Sequence, residues 1–175
     1  DSFTNDEIMA NDIELLADNL YEQFYIQPVV IHEENYARRK VTQSKVRKYV
    51  DPFFRDIHGR EYVYVDGCIL SFYFPFEGDQ KLFKCQASTF SLSGYPDIII
   101  ESDAIVLTYE KTLQEMERED ALGSVMRVLE QDINRLRSGI GYANNDVARF
   151  NSTLRSDAVN ALLQKKKKGH RHVVN

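Results

Sequence analysis

The chain has 175 residues, 43% of them hydrophobic and 11% aromatic, which is ordinary for a packed globular domain and argues against a disordered chain. Its formal net charge is −5, and no apolar run approaches the roughly 18–20 residues that span a bilayer, so no membrane is expected as a partner. The charge is unevenly spread: residues 1–35 hold nine acidic and no basic side chains, whereas residues 36–60 hold eight Lys or Arg against only Asp51 and Asp56.

Thr4-Asn5-Asp6-Glu7 has the form of a capping box, a hydroxyl at the N-cap with a carboxylate three residues on. The helix it opens carries Met9, Ile13, Leu16, Leu20 and Phe24 at helical spacing. It is expected to stop before Pro28, because the residue preceding a proline is pushed out of the α region. Val29-Val30-Ile31 reads as a short strand, and residues 36–49 as an irregular, basic edge strand. Asp51-Pro52 and His58-Gly59 are turn signals. Tyr62–Val65 and Cys68–Phe74 are rich in β-branched and aromatic residues and read as strands. Between them Asp66-Gly67 predicts a type I′ hairpin, with a glycine bulge inside one long strand as the competing expectation. Residues 75–79 make the next turn. Leu82–Cys85, Ile98–Ile100 and Ala104–Tyr109 supply further strands.

Thr112-Leu113-Gln114-Glu115 is a second capping box, and it starts a helical arm. Apolar positions then recur at Leu122, Val125, Leu129, Ile133, Leu136, Ile140, Ala143, Val147, Phe150, Leu154, Ala158 and Leu162. Steps of three and four put all twelve on one helical stripe. Gly139 and Gly141 each cost about 1 kcal/mol against alanine inside a helix, which favours two segments over one. The fold class expected is α+β: an N-terminal helix, about five or six mostly antiparallel strands, and the arm. The division expected is a globular core over 1–111, the arm over 112–165, and a basic linker over 166–175 leading toward a further domain. With no signal peptide and with Cys68 and Cys85 in no metal-type spacing, a reducing cytoplasm is the expected setting.

A long apolar stripe wants a covering surface. Self-association through Leu129, Ile133, Leu136, Ile140, Val147, Phe150 and Leu154 is the expected cover, giving a homo-oligomer. The alternative folds the arm back over the sheet. The basic segment, Arg38, Arg39, Lys40, Lys45, Arg47 and Lys48 with Tyr36, Tyr49, Phe53 and Phe54 interleaved, suits phosphate contacts and base stacking. Against this stand an edge strand protected by its charges and a basic segment that docks on the acidic first helix.

Catalytic patterns are sparse. Asp66 followed by Asp79-Gln80-Lys81 satisfies the letters of an Mg²⁺-dependent nuclease core, in which carboxylates hold the metal and the lysine orients water. Asp79 nevertheless falls at a turn, where aspartate is favoured for local backbone bonding. His32-Glu33-Glu34 and the pair His170 and His172 carry metal-compatible atoms in surface contexts. No metal, cofactor or catalytic residue is expected otherwise.

Two stretches read together resemble a known arrangement: Phe74-Pro75-Phe76-Glu77-Gly78-Asp79 with Leu82-Phe83, and Asn144-Asn145-Asp146-Val147 with Phe150-Asn151 and Leu154. Over roughly residues 13–170 the chain resembles an N-terminal region of bacterial proteins that precedes a restriction-endonuclease-like domain. The resemblance implies a non-catalytic sensing or assembling half of a defence-type nuclease, with the nuclease residues beyond residue 175. Asn144 and Asn151, seven apart on the stripe, are expected either to pair across a helical interface or to cap helix ends.

Overall fold

Thr4 opens the first helix as the capping box requires. Its hydroxyl accepts from the Glu7 N–H at 3.3 Å, and the Glu7 carboxylate accepts from the Thr4 N–H at 2.7 Å. The computed structural model describes residues 3–33, 38–54, 61–90 and 94–173. Glu34, Tyr36, the His58-Gly59 turn and the side chains of Arg38, Phe54, His170 and His172 lie outside the described residues.

The single helix expected at the N-terminus is two, α1 (Asn5–Ala10) and α2 (Ile13–Phe24). Asn11 closes the first by donating its side-chain amide to the Glu7 carbonyl at 2.9 Å, and Asp12 opens the second by accepting from the Glu14 N–H at 2.9 Å. Short polar side chains compete in this way with the helical ladder. The break shifts the helical phase, so Ile8 rather than Met9 joins Leu16 and Ala17 in the core, and Phe24 stays exposed.

The sheet is antiparallel throughout: β1 (Val30–Ile31), β2 (Arg38–Tyr49), β3 (Tyr62–Glu77), β4 (Ile99–Ile100) and β5 (Ala104–Thr112). β1 and β2 share one side of β3, β5 lies on the other, and β4 edges β5. Asp66-Gly67 is neither hairpin nor bulge, because β3 runs through it with unbroken register to β2. The glycine serves close approach: a Cβ on Gly67 would fall on the Lys111 carbonyl oxygen and on Cγ2 of Val46. Leu82–Cys85 is not a strand. Gln80–Lys84 form a 3₁₀ helix capped by Asp79, whose carboxylate accepts from the Lys81 N–H at 2.9 Å.

After the one-turn helix α3 (Leu113–Met116), the arm is one helix, α4 (Ala121–Val173), of 53 residues. At 1.5 Å per residue it reaches about 80 Å. The break expected at Gly139–Gly141 does not occur, and the segment expected as a linker from Lys166 continues the helix to Val173. Gly139 is there because the Tyr95 ring lies against it where a Cβ would project, whereas Gly141 faces open space. Opposite outcomes follow. Gly141→Ala should raise stability by about 0.5–1 kcal/mol, the helix-propensity gain. Gly139→Ala should lose that gain and more by displacing Tyr95. Thermal melts of the two variants check this, and equal stabilisation by both would remove the role given to Tyr95.

Two cores are strung along α4. Val125, Leu129, Ile133 and Leu136 pack on Leu70, Phe72, Phe74, Ile105 and Leu107 of the sheet. Further along, Ala158 and Leu162 pack on Ile8, Leu16 and Ala17. The stripe is therefore covered largely by its own chain. Leu129, Ile133, Leu136 and Val147, expected at a homo-oligomer interface, are buried here, and Ile140 and Leu154 are half-buried. Of the seven positions expected at that interface, Phe150 alone is exposed, at 43%. Among the described residues the acidic first helices are answered by α4: Arg155 pairs with Asp18 at 2.6 Å and Glu14 at 2.8 Å.

Between the two cores the chain runs without regular structure from Tyr25 to Val29 along α4. Asn151 and Asn144 hold it. The Asn151 side chain accepts from the Ile26 N–H at 3.2 Å and donates to the Ile26 carbonyl at 2.8 Å. Asn144 does the same for Val29, at 2.9 and 2.7 Å. Neither asparagine caps a helix end or pairs with another helix. Nearby, Asp146 accepts from the N–H and hydroxyl of Ser88, both at 2.6 Å, which lowers its pKa and fastens the 85–90 loop to α4.

Candidate recognition surface

β3 is longer than the strand beside it. β5 pairs with β3 only from Gly67 onward, while β2 pairs with it down to Tyr62. Five residue pairs, Lys45 with Asp66 through Tyr49 with Tyr62, thus form a two-stranded ribbon projecting beyond the sheet. Directly opposed residues share a face. One face carries Lys45 and Asp66, Arg47 and Tyr64, and Tyr49 and Tyr62. The other carries Val46 and Val65, with Lys48 and Val63.

The first face is aromatic and open. Tyr49 is 75%, Tyr64 64% and Tyr62 42% exposed, and Phe53 beyond the ribbon is 95% exposed. The rings of Tyr62 and Tyr64 meet edge to face with centroids 5.7 Å apart. Val46 anchors the reverse side, buried over Gly67. The acids on the ribbon are engaged. Lys45 reaches Asp66 at 2.7 Å. Glu110 of β5 lies 3.5 Å from the Arg47 guanidinium and accepts from the Arg47 N–H at 2.9 Å, and its charge raises the Arg47 pKa.

Alternation along β2 divides the basic segment. Arg39, Lys45 and Arg47 fall on one face, and Lys40 and Lys48 on the other; the Arg38 side chain lies outside the described residues. Arg39, Lys40 and Lys48 make no ion pair with any described residue. An open groove of about 790 Å³ runs from Arg47, Lys48 and Tyr49 to Arg118, and Asp97, Glu110 and Glu115 also line it.

The nuclease pattern does not assemble. Asp66 sits on the ribbon, while Asp79 and Lys81 follow the far end of β3. Eleven strand residues at about 3.3 Å each separate the two by roughly 35 Å. Asp79 is occupied as a cap. His32 lies 3.3 Å from Glu77, while Glu33 turns to Arg137, so His32 and Glu33 diverge. Among the described residues no group of three or more His, Cys, Asp or Glu is placed to hold a metal. Tyr109 donates to Asp132 at 2.9 Å, and burial together with that bond raises its pKa. The bond ties β5 to α4.

Sequence reading passed over Tyr62 and Tyr64 as strand formers. The signal was present: in Tyr62-Val63-Tyr64-Val65 the tyrosines alternate with valines, so one face of the strand is all tyrosine, and Tyr49 completes it from β2. No helix of the described residues is long and apolar enough to cross a membrane. No protein family, no curated protein and no solved structure matches the chain.

Proposed function

We propose that this chain is a non-catalytic recognition module. The β2–β3 ribbon is its contact arm, and the sheet packed on α4 holds that arm in a fixed direction. The carrying observation is the group of three exposed tyrosines on one face of the ribbon, outside the reach of the third strand. Such side chains bring large contact area with little conformational freedom to lose, and a fold has no evident use for them there. The resemblance to the region ahead of a restriction-endonuclease-like domain supports assigning the module to a bacterial defence nuclease, as its sensing half.

A tyrosine face kept for recognition is dispensable for folding. The triple variant Tyr49→Ala/Tyr62→Ala/Tyr64→Ala should lose about 1 kcal/mol or less, since exposed cross-strand pairs contribute only about 0.2–1 kcal/mol. Phe72→Ala in the core should lose about 3–5 kcal/mol. Urea melts compare them, and a tyrosine variant that unfolds like Phe72→Ala makes the ribbon face structural. Plasmid DNA with Mg²⁺ should stay intact beside the chain. Cleavage that disappears in Asp79→Ala would replace the recognition reading by the nuclease.

A further inference from the structure

We infer that the tyrosine face of the ribbon takes single-stranded nucleic acid, an assignment that rests on the ribbon being the contact arm. Three features converge on it. Tyr49, Tyr62 and Tyr64 offer ring surface to which unstacked bases add, whatever their identity. Positive charge without an acidic partner among the described residues follows the same strand: Arg39 lies on the tyrosine face, and Lys40 and Lys48 lie on the reverse face, from which Lys48 lines the same groove as Tyr49. Asp66 and Glu110, which would repel phosphate, are already matched by Lys45 and Arg47. The groove from Tyr49 to Arg118 gives the backbone a path off the ribbon, and among the described residues Asp97 is the acid there without an ion pair.

Single strands are favoured over duplex because a duplex keeps its base faces stacked inside, where exposed tyrosines have nothing to stack on. A protein partner would value the same tyrosines but would not need β2 charged along its length.

The test uses the full chain and a fluorescein-labelled oligothymidylate of twenty nucleotides, followed by anisotropy at 50 and 200 mM salt. Binding is expected at the lower salt, weakening about 20- to 50-fold at the higher if three or four phosphates are neutralised. Tyr64→Ala should weaken it about tenfold, within the range for one stacked base, and Tyr64→Phe should restore it. Lys48→Ala should flatten the salt dependence while leaving the tyrosine effect intact. No anisotropy change at 50 mM salt overturns the inference and passes the face to a protein partner. Equal competition by a duplex of the same length also overturns it. So does a loss of binding that follows replacement of Lys165–Lys168 by alanine instead of Tyr64→Ala. None of these results touches the recognition reading, which fails by unfolding of the tyrosine variant or by DNA cleavage.

Discussion

Asn144→Ala and Asn151→Ala should each destabilise the chain by about 2 kcal/mol in urea, although alanine is the better helix former at both positions. Each asparagine satisfies one backbone N–H and one carbonyl of the 25–29 segment. A net hydrogen bond contributes roughly 0.5–1.5 kcal/mol, and a half-buried group left without its partner costs more. The helix-propensity gain of alanine over asparagine returns only about half a kcal/mol. Asn160→Ala, at an exposed site of the same helix, should therefore be neutral or slightly stabilising, which calibrates the other two. Asn144→Asp is the sharper variant. Its carboxylate still accepts from Val29 but sets a second oxygen against the Val29 carbonyl, so it should cost more than alanine. The double alanine variant should lose less than the sum of the singles, because both side chains hold one short segment. A loss below about 0.5 kcal/mol in either single variant would mean that water replaces the clamp.

These clamps show why parts of the architecture were legible and others were not. Periodicity carried the α4 stripe and the strands, because a twelve-position pattern at steps of three and four, or a run such as Cys68–Phe74, has few alternatives. What covers the stripe is a different kind of information. The hydrogen bond from Ile26 to Asn151 joins residues 125 apart, and nothing local to either position announces it. The apparent break at Gly139–Gly141 misled for the same reason: the propensity penalty was visible, whereas the Tyr95 ring that requires the glycine comes from a distant loop. The basic segment misled in another way. Residues adjacent in sequence alternate across a strand, so the five described cations of what reads as one cluster divide between two faces, and two of them are paired with acids from β3 and β5.

The resemblance takes on a physical meaning in this light. Gly78 and Asp79 of its first stretch and Asn144 and Asn151 of its second meet at the same few residues. Asp79 donates its N–H to the Gln27 carbonyl at 3.1 Å, between the two residues that the asparagines hold. These four residues thus hold the 25–29 segment between the end of β3 and α4. They are residues of architecture.

Leu136→Asp and Phe150→Asp should separate, although both lie on the same helical stripe. Leu136 is 6% exposed within the sheet-facing core. Aspartate there forfeits roughly 1.5–3 kcal/mol of buried leucine and places a carboxylate among apolar side chains, which costs several kcal/mol more unless it takes up a proton. Together these consume much of the roughly 5–15 kcal/mol by which domains are stable. The variant should accordingly lose its near-ultraviolet circular dichroism and cooperative melt. Phe150, at 43% exposed, forfeits only part of a phenylalanine and leaves the new charge in water, so its variant should melt within about 1 kcal/mol of the parent. An interface predicts the reverse: both substitutions would give a folded protein of smaller size, since an exposed leucine becomes a tolerated aspartate once the partner is gone. Light scattering coupled to size exclusion, run beside the dichroism, distinguishes the two. A folded, smaller Leu136→Asp species would return the stripe to intermolecular contact. An unfolded one places it inside the single chain, and any assembly must then use other residues.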